Sequence, residues 1–400
     1  MKTLRPLWLL LLCGQFSSAQ LAFDKPSVAY EFASRPVTEW DAALREHRMP
    51  ATKNRPDDVL WQRSKGLCPS FSLESVSGEE LYWLAKLCGP EPAKALRAVN
   101  RYLEGSALEH GPDARLLLAV LQMRTTGNWE AAWGTIQTIL QEDPVEPVES
   151  QIDVAIDDEA DANPKIALAW SKERFSILFD RSQTEKSGVS PASSGFVLHT
   201  GADLVHRYYL AGENEQATKV LEEMNGFVKS RPDEAKSWGA QELYWANLEM
   251  HPAPPVAVLK MLGGNSPSGL IQPGRVEVIS FFFLGCTPSN QELSVLDALQ
   301  EKYGKKKLLV TGVTSYKINS NITPSAPSHV KASLQEARLE KARHIGVVIT
   351  SDEALASYGV RGFPVVAFVD KMGRLRYMGY VLDFEDDDSA GRLIHELIEE

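Results

Sequence analysis

The sequence predicts a multidomain protein in which an all-α helical region, residues 20–250, is followed by an α/β domain, residues 252–400. Two observations predict this fold class. Apolar residues recur at helical spacing through the first half, and short β-branched and aromatic runs alternate with helical segments in the last third. Between the two regions lies the proline-rich run His251-Pro252-Ala253-Pro254-Pro255, a stiff connector that a helix cannot cross.

Residues 1–19 have the pattern of a secretory signal peptide. Lys2 and Arg5 precede an apolar run, Leu7–Leu12, and small residues lead to an expected cleavage after Ala19. The run is shorter than the ~20 residues that a membrane-spanning helix needs. Lipidation at Cys13 is the lesser alternative, because a bulky leucine precedes it where lipoprotein signals carry a small residue. We therefore expect an exported protein, periplasmic or secreted, without a membrane span.

The chain has four cysteines, of which three would remain after that cleavage. Cys68 and Cys88 flank one predicted helix, and a bridge between them would stabilise the region by about 3 kcal/mol through chain entropy. Two buried free thiols are the alternative. In both cases Cys286 is left over, and an odd cysteine in an oxidising compartment is either free or paired between molecules.

The helical region contains three predicted helix pairs with glycine or proline at their ends: 79–88 with 91–104, 113–126 with 129–142, and 196–211 with 214–230. In the second and third pairs a turn glycine is followed by small alanines, as in Gly127-Asn128-Trp129-Glu130-Ala131-Ala132. These pairs resemble tetratricopeptide (TPR) repeats, in which small residues let two helices approach closely. The resemblance implies a TPR-like helical array with a concave surface for a protein or peptide partner.

The α/β domain is predicted to form one sheet with helices on its faces. A hairpin around Gly263-Gly264 opens it by pairing Val256–Leu262 with Leu270-Ile271. The strands that follow are Arg275–Phe283, Leu308–Thr314, Val347–Ile349, Val365–Val369 and Leu375–Tyr380. The helices are Pro288–Tyr303, Ser328–Arg343, Asp352–Tyr358 and Ser389–Ile398.

The chemistry of this domain centres on Cys286, where an apolar strand ends and a helix begins. Unpaired backbone N–H groups and the helix dipole at such a junction favour a thiolate. An inert buried thiol is the alternative for a lone cysteine.

Three features of residues 252–400 carry a resemblance: the opening hairpin, the strand–Cys286–helix junction, and the run Tyr358-Gly359-Val360-Arg361-Gly362-Phe363-Pro364. Together they resemble a thioredoxin-fold domain of the TlpA/redoxin branch. The resemblance implies that Pro364 is cis and faces Cys286. It also implies that Phe363, through its backbone, and Gly285 contact the substrate.

The sequence departs from that family at the active site. The family has a tryptophan before its first cysteine and a second cysteine three residues after it, whereas Gly285 and Ser289 occupy these positions. Ser289 cannot attack a mixed disulfide, although its hydroxyl is placed to hydrogen-bond to a Cys286 thiolate. A peroxiredoxin is also excluded, because Ile279 and Phe283 replace the proline and the Thr or Ser of its motif.

Other function classes lack support. The net charge of −11 and the absence of a long basic run argue against a nucleic-acid partner. The eight histidines show no metal-ligand spacing, and no glycine-rich phosphate loop is present, so we expect neither a metal nor a cofactor.

Two functions remain. The first is a monothiol (Cys-x-x-Ser) thiol–disulfide exchange factor that acts on protein thiols and disulfides, with Cys286 as attacking thiol and Ser289 and Pro364 beside it. The second thiol would come from another protein, from a small thiol, or from Cys68 or Cys88 if these are near Cys286 and reduced. The alternative is a catalytically degenerate interaction or scaffold protein in which Cys286 is a relic or regulatory thiol.

Overall fold

A computed structural model describes residues 23–45, 56–105, 109–141, 151–153, 155–156, 163–184, 191–237, 239–262, 270–283, 286–315, 344–379 and 387–400. These residues form two compact units, one within 1–39 and 56–114 and the other within 40–55 and 115–400. Across the described parts of the chain, no helix combines the length and apolarity needed to cross a membrane. The predicted signal segment, residues 1–19, lies outside the described residues.

The first unit is helical. Its helices are α1 (Pro26–Arg45, which runs on past the unit), α2 (Asp57–Leu67), α3 (Glu80–Leu87) and α4 (Pro92–Leu103). Ser27, in the first turn of α1, donates its backbone N–H to the Glu80 carboxylate at 2.9 Å, which satisfies one of the unpaired donors at the start of that helix. The structure joins Cys68 and Cys88 by a disulfide with an S–S distance of 2.06 Å, and both residues are fully buried.

The second unit begins with further helices: α5 (Gly111–Thr126), which starts in the first unit, α6 (Trp129–Gln141), α7 (Pro164–Thr184), α8 (Pro191–Leu210), α9 (Asn214–Ser230) and α10 (Gly239–Leu248). Gly127, between α5 and α6, has φ +60°, a conformation that glycine adopts without strain. Ala132 and Ala217 are fully buried, which allows close helix packing. Helix pairs are therefore present where the sequence indicated them, while the TPR-like array and its partner surface stay predictions.

A six-stranded mixed sheet follows. Its strands are β1 (Lys260–Leu262), β2 (Val276–Phe281), β3 (Leu308–Ser315), β4 (Gly346–Thr350), β5 (Val365–Val369) and β6 (Leu375–Gly379), in the order β1-β4-β3-β2-β5-β6. β2 pairs in parallel with β3 and β3 with β4, whereas β1, β5 and β6 are antiparallel to their neighbours. The helices are α11 (Thr287–Tyr303), α12 (Asp352–Ser357) and α13 (Asp387–Glu399).

Alternation along β2 separates two cores. Val276, Val278 and Phe282 pack with residues of α11, such as Leu293, on one face of the sheet. Ile279 and Phe281 pack on the other face with Trp245 of α10 and with Tyr358. The α10 helix therefore contributes to the core of the sheet.

The expected opening hairpin is wrong in its pairing. β1 lies against β4 rather than against Leu270-Ile271, which form no strand, and the Leu259 N–H donates to the Ile349 carbonyl at 2.9 Å. Leu270 is instead buried in the apolar core beside Trp245. The turn at Gly263-Gly264 and the predicted helix Ser328–Arg343 lie outside the described residues.

The proline-rich connector runs beside β6. The Met250 N–H donates to the Leu375 carbonyl at 2.7 Å, and the Ala253 N–H donates to the Gly373 carbonyl at 2.9 Å. These hydrogen bonds fix the end of α10 to the sheet.

Candidate functional site

Cys286 occupies the position immediately before the first residue of α11. Its backbone is extended, with φ −83° and ψ 110°, and Pro288 lies in the first turn of the helix. Proline suits that place, because backbone N–H groups there have no partner within the helix. Cys286 is half-buried and is the free cysteine of the described residues. The site therefore holds one accessible thiol at a helix N-terminus.

The segment before Pro364 faces this thiol. The Phe363–Pro364 peptide bond is cis, and the Cys286 sulfur lies 3.9 Å from the Phe363 carbonyl oxygen. The ring of Phe363 also meets the ring of Phe283 edge to face at 5.4 Å. Cys286, Phe363 and Pro364 are thus brought together across 77 residues of sequence.

Two other predicted site residues behave differently. Ser289 is fully buried, and its hydroxyl has no hydrogen-bond partner in the structure described here. The expected hydrogen bond from Ser289 to Cys286 is therefore absent among the described residues. Gly285 lies outside the described residues, so its predicted substrate contact stays a prediction.

Glu292 is a residue of this region that the sequence reasoning missed. It lies on α11 six residues after Cys286, and its side chain is 2% exposed. Burial raises the pKa of Glu292 to about 8, and the Ser280 hydroxyl lowers it only in part. That hydroxyl stands outside hydrogen-bond geometry, so both Glu292 oxygens lack a partner among the described residues. At neutral pH the carboxyl is mostly protonated and uncharged.

A sequence signal for Glu292 existed. The inward face of α11 carries Leu293, Leu296 and Leu299, and Glu292 stands in that stripe one turn from Leu296. An acidic residue in an apolar helical stripe predicts a buried carboxyl. No sequence pattern indicates that Ser280 of β2 lies beside Glu292, because only the folded chain brings these two residues together.

Helix α10 holds the chain that leads to Pro364. The Tyr244 hydroxyl donates to the Ser357 carbonyl at 3.1 Å, and the buried Trp245 indole N–H donates to the Tyr358 carbonyl at 2.9 Å. Carbonyls at a helix C-terminus need partners from outside the helix, and α10 provides two for α12. Through α12, this helix positions the loop that faces Cys286.

The disulfide in the first unit affects how the exchange could be completed. Cys68 and Cys88 are bonded to each other, so neither is a free thiol in this structure. The bonded pair does not meet the condition of being reduced, under which one of these cysteines would serve as the second thiol.

One cluster in the first unit has the residue types of a metal site. The ligand atoms of Glu79, Glu109 and His110 lie within 4.8 Å of one another. However, both Glu79 oxygens accept hydrogen bonds from the Tyr102 hydroxyl, at 2.9 and 2.8 Å, and one also accepts the Glu109 N–H at 3.1 Å. Hydrogen bonds within the fold explain the cluster.

Comparison with known proteins gives structural matches alone. No protein-family model matches the chain, and the search of curated proteins finds no significant match. A solved thioredoxin-like superfamily protein is 21% identical, covering 37% of this chain and 97% of its own, with a TM-score of 0.32. A thiol-disulfide isomerase from Corynebacterium glutamicum is 17% identical, covering 37% and 97%, with a TM-score of 0.30. StoA from Bacillus subtilis is 14% identical, covering 37% and 99%, with a TM-score of 0.28.

About a third of the chain is thus similar to solved proteins of thioredoxin-like and thiol–disulfide type. These similarities are too distant to assign an activity. The geometry around Cys286 is therefore the basis for assigning a function.

Proposed function

We propose that this protein is a monothiol thiol–disulfide exchange factor in which Cys286 is the attacking thiol. The observation that supports it most is the placement of a half-buried, unpaired thiol at the start of α11, 3.9 Å from the carbonyl that precedes a cis proline. An inert structural cysteine would have no need of a half-buried position opposite the Phe363 carbonyl.

The reaction is a pair of exchanges. The Cys286 thiolate attacks one sulfur of a protein disulfide, a sulfur–sulfur bond forms to Cys286, and the original bond breaks to release a substrate thiolate. A second thiolate, from another protein or a small thiol such as glutathione, then attacks the mixed disulfide and restores Cys286. Each step breaks one sulfur–sulfur bond and forms one, so no further oxidant or reductant enters.

Because position 289 holds a serine rather than a cysteine, the second thiol must come from another molecule. A hydroxyl does not attack a disulfide under physiological conditions, and this one is buried without a partner. The mixed disulfide at Cys286 should therefore persist until an external thiol arrives.

We also propose that the protein is exported, which rests on the signal-like residues 1–19. We further propose that its two domains divide at residues 250–252.

A turnover assay tests the proposal. Catalytic amounts of the full chain should accelerate the exchange of glutathione with a symmetric peptide disulfide, and Cys286→Ser should abolish the acceleration. Ser289→Ala is the matched control and should retain it, because Ser289 takes no part in either exchange. A native chain no faster than Cys286→Ser would reject the proposal and favour the interaction or scaffold function.

A further inference from the structure

The chain that leads to Pro364 also borders a cleft with no part in the exchange itself. The cleft has a volume of about 240 Å³. One wall belongs to α10, and the other belongs to the end of α12 and the turn after it. The lining residues are Gln241, Tyr244, Ala356, Gly359, Val360 and Arg361.

The two walls are held together by direct contacts. Besides the hydrogen bonds from Tyr244 and Trp245 to the end of α12, the Tyr244 ring packs on Gly359. A Cβ atom at Gly359 would lie 2.5 Å from a ring carbon of Tyr244, and φ there is +62°. Only glycine fits this approach, so the cleft is formed before any ligand arrives.

The cleft has one charged group. Arg361 is exposed and makes neither an ion pair nor a hydrogen bond with any described residue. Gln241 is 8% exposed, and its amide nitrogen finds no acceptor in the described protein. Among the described residues no acidic side chain lines the cleft, and the remaining lining is largely apolar. A guanidinium without a partner is suited to a carboxylate.

The cleft is connected to the reacting thiol through the chain that leads from Arg361 to Phe363. Arg361 stands two residues before Phe363, whose carbonyl faces Cys286. Two residues of extended chain span at most about 7 Å. When the cysteine of a bound peptide reaches Cys286, the peptide residue two positions from that cysteine is therefore within reach of Arg361.

We infer that this cleft is a substrate subsite that binds an acidic side chain two residues from the reacting cysteine of a polypeptide disulfide. The inference rests on the proposed exchange function and names the substrate class of that same site. Arg361 binds the carboxylate, and the walls from α10 and α12 hold the carbon chain of the acidic residue.

The test uses symmetric peptide disulfides that carry glutamate or glutamine two residues before or after the cysteine. With the full chain, kcat/KM for glutathione exchange should be about two- to fivefold higher for a glutamate peptide, the range of an exposed ion pair. Arg361→Gln should bring the ratio to one, and Arg361→Glu should reverse it. Arg97→Gln, a change at an exposed arginine of the first unit, should leave the ratio unchanged.

A binding measurement separates this inference from the exchange function. Calorimetry with the same peptides, serine replacing cysteine, reports the subsite without any reaction. Preference for glutamate in binding but no turnover would reject the exchange function and support the subsite. Turnover and affinity that are both equal for glutamate and glutamine peptides would overturn the subsite.

Discussion

The replacement Glu292→Gln tests the electrostatic description of the site. Glu292 is 2% exposed, and burial raises its pKa from 4.5 to about 8. Because the folded state holds the proton more tightly than the unfolded state, the free energy of unfolding falls as pH rises between these two values. A pKa shift of this size corresponds to a loss of about 5 kcal/mol in the free energy of unfolding, at 1.36 kcal/mol per pKa unit.

Glutamine has nearly the same shape and does not titrate, so it removes this pH dependence. The variant should match the native chain at pH 5 and exceed its free energy of unfolding by several kcal/mol at pH 9. Urea titrations at intervals between these pH values would measure the difference. Glu301→Gln, an exposed change on the same helix, is the control and should leave the native pH dependence in place.

Two results would contradict this description of Glu292. If the native chain and Glu292→Gln lose stability in parallel between pH 5 and pH 9, Glu292 does not hold its proton as described. A variant that is less stable than the native chain at pH 9 would require a stabilising partner for the Glu292 carboxylate.

Three further changes follow from the structure. Ser289→Cys supplies a second thiol, so mixed disulfides at Cys286 should disappear without added glutathione on non-reducing gels, whereas Ser289→Ala should leave them intact. Trp245→Phe removes the hydrogen bond to the Tyr358 carbonyl and should lower the free energy of unfolding by about 1–3 kcal/mol in urea, whereas a change at the exposed Trp61 should not. Joint replacement of the bonded pair in the first unit by serine should cost about 3 kcal/mol, and a reductant should destabilise the native chain but not that variant.

Much of the sheet and its helices could be predicted because their signals are local. β5 is an unbroken apolar run rich in valine, with the bounds Val365–Val369, and α11 begins directly after Cys286, with proline in its first turn. The resemblance carried by the run around Pro364 implied a cis peptide bond there, and the Phe363–Pro364 bond is cis. Local patterns suffice where each element is specified by its own residues.

The features that could not be predicted are contacts between residues that lie far apart in the sequence. β1 pairs with β4 some ninety positions along the chain, and the sequence offered a nearer partner in Leu270-Ile271. The hydrogen bond from Trp245 to Tyr358 spans 113 positions, so the role of α10 beside the site had no local signal. The burial of the Ser289 hydroxyl also has no local signal, because spacing alone does not reveal whether a side chain is buried.

The most direct test of the exchange function is to observe its intermediate. The native chain would be mixed with a symmetric peptide disulfide, quenched with a thiol-blocking reagent, and analysed by peptide mass mapping. The exchange mechanism predicts a peptide joined to Cys286 by a disulfide that forms within the turnover time and disappears when glutathione is added. A Cys286 that remains free throughout, or a peptide attached only elsewhere, would contradict it.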